Sequence, residues 1–248
     1  MLTQLARIAG LRGEFAAGER FIQEAEATAD TSQLARTRID LERGRLRRSS
    51  GEVDRARPLF ESAFAIALEA EEYYLAVDAA HMVAVTARDR AGFVAWTERG
   101  IALATTHEEA RYWLGPLLNN LGWEYYESAE YAEALDAFDR ALQARERDPE
   151  NRAAIELARY AVGKTLRALG RSKDAVPLLE QAVVCAENQG APNGWFHEEL
   201  AEEYAAFGRA AEAREQARLA LPLLLDANSA LVEDAERLAR LRELADQP

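Results

Sequence analysis

The chain has 248 residues, with 30 Lys and Arg against 43 Asp and Glu and a net charge of −13. That balance argues against generic nucleic-acid binding, the single cysteine, Cys185, excludes an internal disulfide framework, and no apolar run approaches the ~20 residues of a membrane span. Ala, Leu, Glu and Arg dominate, all strong helix formers, while the alternation that makes strands is nearly absent, so an all-α protein is expected. Met1 to Gly10 carries no signal-type hydrophobic core, which points to a cytoplasmic protein.

A short first helix over Leu2 to Gly10 opens a unit whose second helix carries Gly18, Ile22 and Ala25 after Gly13. Gly51, Ala56, Phe60 and Ala63 repeat the same offsets. Ala129, Ala134, Phe138 and Ala141 show them again, with Leu121, Gly122 and Tyr125 upstream. Gly170, Ala175, Leu179 and Ala182 follow, then Gly208, Ala213, Ala217 and Ala220. The small marker residue recurs at steps of 38 to 41, except for a 78-residue interval between Ala56 and Ala134. A degenerate unit is expected in that interval, its second helix near Phe93 to Thr105 and its marker at Trp96 or Ala95. The period predicts a helical hairpin stacked on itself about six times. The units run roughly over 1–30, 31–70, 71–106, 107–148, 149–190 and 191–227, in a single domain. An amphipathic helix from Ser229, within 229–246, caps it.

Local signals mark several boundaries. Thr106 with Glu109 reads as a capping box, and Asp148 before Pro149 as an N-cap with Pro at the first helical position. Pro58 and Pro177 fall early in their second helices, where a missing N–H costs little, whereas Pro222 is expected to kink or end its helix.

The unit from about Gly115 to Asp148 resembles a tetratricopeptide (TPR) repeat through Leu121-Gly122, Tyr125, Ala134, Phe138 and Ala141. The fifth unit carries the resemblance through Gly163, Leu169-Gly170, Ala175, Leu179 and Ala182, and the sixth through Tyr204, Gly208, Ala213 and Ala220. The usual period of that family is ~34 residues, so the longer step here resembles the long-repeat branch of kinesin light chains and bacterial signal-sensing regulators. The resemblance implies a right-handed superhelical solenoid that binds peptides or proteins on a concave face lined by the first helix of each pair.

Projected onto this sequence, that face holds Arg38, Glu42, Arg45 and Arg48, then His81, Met82 and Arg88. Asn119, Asn120, Trp123 and Tyr126 follow, then Tyr160, Lys164 and Arg167, and finally Trp195, Glu198, Glu199 and Glu202. Its middle is basic and aromatic, the composition in which binding energy concentrates. The expectation is a groove that captures an acidic or C-terminal peptide, with charge reversal at Arg45 and Lys164 weakening binding. The plainer readings are that the arginines form a solvated face balanced by neighbouring carboxylates, that Trp123 and Tyr126 pack between hairpins, and that His81 is a packing or surface residue rather than a metal ligand. The clamp of Lys, Asn and Arg side chains with which some relatives grip a C-terminal carboxylate does not fit: Asn120 matches, but His81, Val85, Leu157 and Ala161 stand at its other positions.

No P-loop, HExxH or Cys pair is present, and His81, His107 and His197 fall in different units, so neither catalysis nor a metal or cofactor is expected. Cys185, among Val183, Val184 and Ala186, reads as a buried, inert thiol. The acidic run of Glu198, Glu199, Glu202 and Glu203 reads as a solvated face or a contact for a basic partner. A protein-interaction module in a bacterial regulatory system is the expected function. The alternative is a self-associating scaffold using its ends or convex face, which Leu231, Val232, Leu238, Leu241 and Leu244 of the last helix would favour if left exposed.

Overall fold

A computed structural model describes residues 1–28, 32–226 and 234–246, and among these the regular structure is helical throughout. The helices are α1 (Leu2–Leu11), α2 (Phe15–Thr28), α3 (Gln33–Ser49), α4 (Val53–Glu69), α5 (Tyr73–Ala84) and α6 (Arg90–Thr106). A 3-10 helix (Glu108–Trp113) leads into α7 (Leu114–Glu127), followed by α8 (Tyr131–Glu146), α9 (Arg152–Ala168) and α10 (Ser172–Asn188). α11 (Gly194–Ala206), α12 (Ala210–Asp226) and α13 (Ala235–Asp246) complete the chain. The chain divides into two compact units, residues 1–121 and 122–248. In unit 1, α1 packs on α2, α3 on α4 and α5 on α6; in unit 2, α9 packs on α10 and α11 on α12.

Steric demands explain the repeated offsets. The first residue of each set terminates the first helix of its hairpin in the left-handed region: Gly13, Gly51, Gly170 and Gly208 have φ between 71° and 86°, and Ala129 has φ 59°. Glycine takes that conformation without a Cβ clash, and the turn satisfies the last helical carbonyls. The next three residues point into the hairpin. Ala56, Phe60, Ala63, Ala134, Phe138, Ala141, Ala175, Leu179 and Ala182 are all 0% exposed. Each bulky residue fills the space left by a glycine on the facing helix. A Cβ on Gly44 would lie 2.4 Å from Phe60 Cε1, and one on Gly122 2.5 Å from Phe138 Cε1. Small residue and knob together hold the two helices at close approach.

The degenerate third unit exists, with α6 as its second helix, but its marker is Phe93 rather than Trp96 or Ala95. Thr97, Gly100, Ile101 and Ala104 are the buried residues of α6, in the same frame as Phe60, Ala63, Phe64 and Ala67 of α4. Counting back four residues from Thr97 gives Phe93, half-buried where the other units carry Ala or Gly. Trp96 instead meets Phe64 edge-on at 5.1 Å.

Two boundary expectations are overturned and a third in part. Thr106 is the last residue of α6 and its hydroxyl donates back to Ala102 O at 3.0 Å, so it caps no following helix. Asp148 and Pro149 form a turn in which Asn151 N–H donates to Asp148 O, and α9 starts at Arg152. α12 runs past Pro222 to Asp226, so Pro222 does not end its helix. Of the expected capping helix, α13 covers Ala235–Asp246; Ser229, Leu231 and Val232 lie outside the described residues.

Candidate interaction surfaces

Unit 1 holds a cavity of about 680 Å³ between α1, α3, α5 and the 3-10 helix. Its floor is ionic. Arg45 of α3 donates to Glu42 at 2.6 Å and to Asp78 of α5, and Arg7 of α1 adds a bond to Glu42 at 3.3 Å. Glu42 and Asp78 are buried. Burial pushes the Glu42 carboxyl above the usual carboxylate range despite both arginines. The wall is aromatic: Tyr74 and Tyr112 are exposed, and Trp113 lies 5.8 Å from Tyr74 and 5.6 Å from His81, ring to ring. Burial holds His81 below its ordinary pKa, so its imidazole favours the neutral form. Two polar atoms of residues lining this cavity, Glu42 Oε2 and Trp113 Nε1, are buried without a hydrogen-bond partner. Arg38, also lining it, is exposed and has no ion pair among the described residues.

A second cavity in unit 1, of about 220 Å³, shares Arg7, Glu42 and Arg45 with the first. Leu11, Leu46 and Met82 give it an apolar lining, and Arg48, exposed at the end of α3, stands at its edge.

Unit 2 carries a denser ionic cluster around α11. Glu199 accepts from Lys164 Nζ at 2.6 Å and from Arg167 of α9. Glu198 is held by Arg237 and Glu202 by Arg240 at 2.6 Å, both from α13. The two cationic partners hold Glu199 below its usual range against a strong opposing effect of burial. Glu203, with no exposed side chain, has neither oxygen hydrogen-bonded, and Arg167 Nε stands 3.8 Å away. The acidic run is therefore not a solvated face: its carboxylates tie α9 and α13 to α11. Leu241 and Leu244 of α13 are buried in a cluster with Ala217, Ala220 and Leu224, and Leu238 packs against it.

The structure separates the projected groove residues into distinct environments. Arg38 and Arg48 keep exposed guanidinium groups in unit 1. Arg45, Lys164 and Arg167 are bound to internal carboxylates. Arg88, after α5, pairs with Asp54 at 2.7 Å outside both unit 1 cavities. Asn119 and Asn120 are half-buried on α7. In unit 2 the aromatic residues are packing elements. Trp123 meets Phe138 edge-on at 5.1 Å, Tyr126 meets Tyr131 at 5.2 Å, and the buried Tyr160 stacks on Phe196 at 5.1 Å. Burial raises the phenols of Tyr126 and Tyr160. Lys164 lies near both rings, 5.9 Å from Tyr126 and 5.8 Å from Tyr160.

Arg7, Tyr74, Asp78, Tyr112 and Trp113 line the first cavity outside the projected set. The adjacent aromatics at 112 and 113 precede the repeat frame of their unit, where counting from the repeat cannot reach them. Cys185 is half-buried rather than buried, and burial raises its thiol pKa. Among the described residues, no cluster of three or more His, Cys, Asp or Glu is arranged to hold a metal. No described helix is long and apolar enough to cross a membrane.

This geometry defines a protein built of paired helices with a glycine-and-knob contact in its regular hairpins. Residues 117–147 match the tetratricopeptide-repeat family model, and the fold is TPR-like. Crystal structures with the same fold include BtubC (BKLC) from P. vanneervenii, at TM-score 0.73 and 18% identity, covering 88% of this chain and 92% of that one. The apo form of RapI matches at TM-score 0.73 and 14% identity, covering 98% of this chain and 70% of its own. Aspartyl phosphate phosphatase F from Bacillus subtilis matches at TM-score 0.62 and 13% identity over 92% of this chain and 59% of that one. No curated protein matches the sequence significantly.

Proposed function

We propose that the chain is a non-catalytic protein-interaction module, and that the larger cavity of unit 1 takes a peptide segment carrying acidic residues. The observation that carries the reading is the polar character of that cavity. Arg38 offers a positive charge free of any ion pair among the described residues, Glu42 and Asp78 are already held by Arg7 and Arg45, and Glu72 is the lining carboxylate without an ion pair among those residues. Exposed Tyr74 and Tyr112 add aromatic contact area of the kind that dominates peptide recognition. A sensor or adaptor role in a bacterial regulatory system, acting in the cytoplasm, fits such a module.

Arg45 and Lys164 leave the list of groove cations, because each neutralises a buried carboxylate. Asn119 and Asn120 line neither cavity of unit 1 and take no part in this reading. Self-association is favoured by one feature, the face of α1 that exposes Leu5, Ile8 and Leu11. The described leucines of α13 give it no support, since Leu241 and Leu244 are covered.

The test is affinity capture from lysate with the wild-type chain beside Arg38→Glu, together with sedimentation of each alone. Loss of a specific partner from a variant that remains folded and monomeric supports the groove. Retention of every partner, or recovery of the chain itself with a concentration-dependent dimer, contradicts it.

A further inference from the structure

We infer that the smaller cavity of unit 1 is a specificity pocket for one apolar side chain of the bound peptide, with an acidic residue of that peptide beside it on Arg48. The inference rests on the peptide-binding reading of the larger cavity and adds the side-chain class that is selected.

The two cavities meet at one ionic wall, because Arg7, Glu42 and Arg45 line both. On one side of that wall stand Arg38 and the rings of Tyr74, Tyr112 and Trp113. On the other, Leu46 and Met82 are buried, and Leu11, 82% exposed, forms the lip. An exposed leucine beside a pocket floored by Leu and Met leaves apolar area in water that an aliphatic or aromatic side chain would cover. Methionine adapts to irregular occupants, which suits a floor that accepts more than one apolar side chain.

Charge fixes what flanks that side chain. Glu42 and Asp78 are neutralised by Arg7 and Arg45. The charges left over are Arg48 at the smaller cavity, and Arg38 and Glu72 at the larger, none with an ion pair among the described residues, so the smaller cavity is flanked by positive charge alone. A carboxylate next to the apolar anchor meets Arg48, and a second one further along meets Arg38. Bidentate arginine–carboxylate pairing makes both contacts directional. A peptide with lysine at those places would face unpaired guanidinium groups, and the pocket would reject it.

The test selects a random-peptide phage library on the full chain and measures enriched peptides by fluorescence anisotropy. The expected enrichment is an apolar residue with Asp or Glu adjacent. Replacing the apolar residue by Ala should weaken binding on the order of tenfold or more. Arg48→Glu should remove the acidic preference beside the anchor. Met82→Trp fills the pocket and should erase the apolar preference. Leu11→Glu, at an exposed position where folding is safe, should do the same if the Met82 variant fails to fold. Acidic peptides that lose affinity in Arg38→Glu but show no apolar preference would overturn the pocket and leave the peptide-binding reading standing. No enrichment, or enriched peptides indifferent to Arg38→Glu, would overturn both.

Discussion

Replacing Arg45 with Met separates a structural role for this arginine from a ligand-binding one. Arg45 is the ion-pair partner of Asp78 and the nearer of two partners of Glu42, whose other bond, to the half-exposed Arg7, is 3.3 Å long. Both carboxylates are buried, at 7% and 6% exposure. Met preserves most of the apolar stem and removes the charge, so the loss is electrostatic. Orphaning one partner of a buried pair costs about 3–5 kcal/mol, a large part of the ~5–15 kcal/mol that holds a typical domain together. The sign with pH follows from burial. Glu42 already has a raised folded-state pKa, and loss of Arg45 raises it further. The stability such a group confers is fully present below its unfolded pKa and is lost as pH rises through its folded one. The Arg45→Met penalty should therefore be largest at neutral pH and shrink on acidification as the carboxylates take up protons. Urea denaturation across that pH range, with hydrogen exchange resolved by peptide in residues 1–121, reads the effect. Arg38→Met, with the same chemistry at an exposed site, should cost under about 0.5 kcal/mol. Equal and pH-independent losses for the two variants would refute the reasoning.

Three further outcomes follow from positions elsewhere. Ala129→Gly relieves a left-handed alanine and should stabilise unit 2 by about 1 kcal/mol, seen as a higher Tm; an unchanged Tm would count against the strain. Gly122→Ala places a Cβ 2.5 Å from Phe138 Cε1. Overpacking of about 1–3 kcal/mol should exceed the helix-propensity gain of about 1 kcal/mol, giving a lower Tm, and a higher one would show that Phe138 moves freely aside. Glu203→Gln removes a buried carboxyl that burial has pushed above its ordinary range. Its ionised form weakens the folded state as pH rises through that raised value, so the variant should gain about 1 kcal/mol at neutral pH and nothing in acid. Parallel melting curves at both pH values would refute this.

The hairpins were legible in the sequence because each repeated position answers a steric demand that few residues meet. A left-handed turn wants Gly, as at Gly51 and Gly170, and a close helix approach wants Gly opposite a knob, as with Gly44 and Phe60. The third unit was harder because α5 gives way to α6 through a turn without a left-handed residue, and a half-buried Phe93 stands where a small residue is the rule. The site was less legible for a different reason. Charges on one helix face look solvated in sequence, yet Arg7–Glu42, Arg45–Asp78, Lys164–Glu199 and Glu198–Arg237 pair at separations of 35, 33, 35 and 39 residues. Those separations are close to one repeat. The countercharge comes from the first helix of the next hairpin, or from α13, so in the sequence it stands about one repeat away rather than beside its partner. Trp113 was missed because it lies in a 3-10 helix ahead of the frame that the glycines set.

The measurement that tests the central claim most directly is photo-crosslinking in lysate from a probe replacing Tyr112, which is 61% exposed at the rim of the larger cavity. It is compared with the same probe at Lys173, an exposed position of unit 2. The account predicts a crosslinked peptide, rich in acidic residues, from position 112 alone, and its loss when Arg38→Glu and Arg48→Glu are added. A partner captured only from position 173, or one captured from 112 and indifferent to both charge reversals, would contradict it.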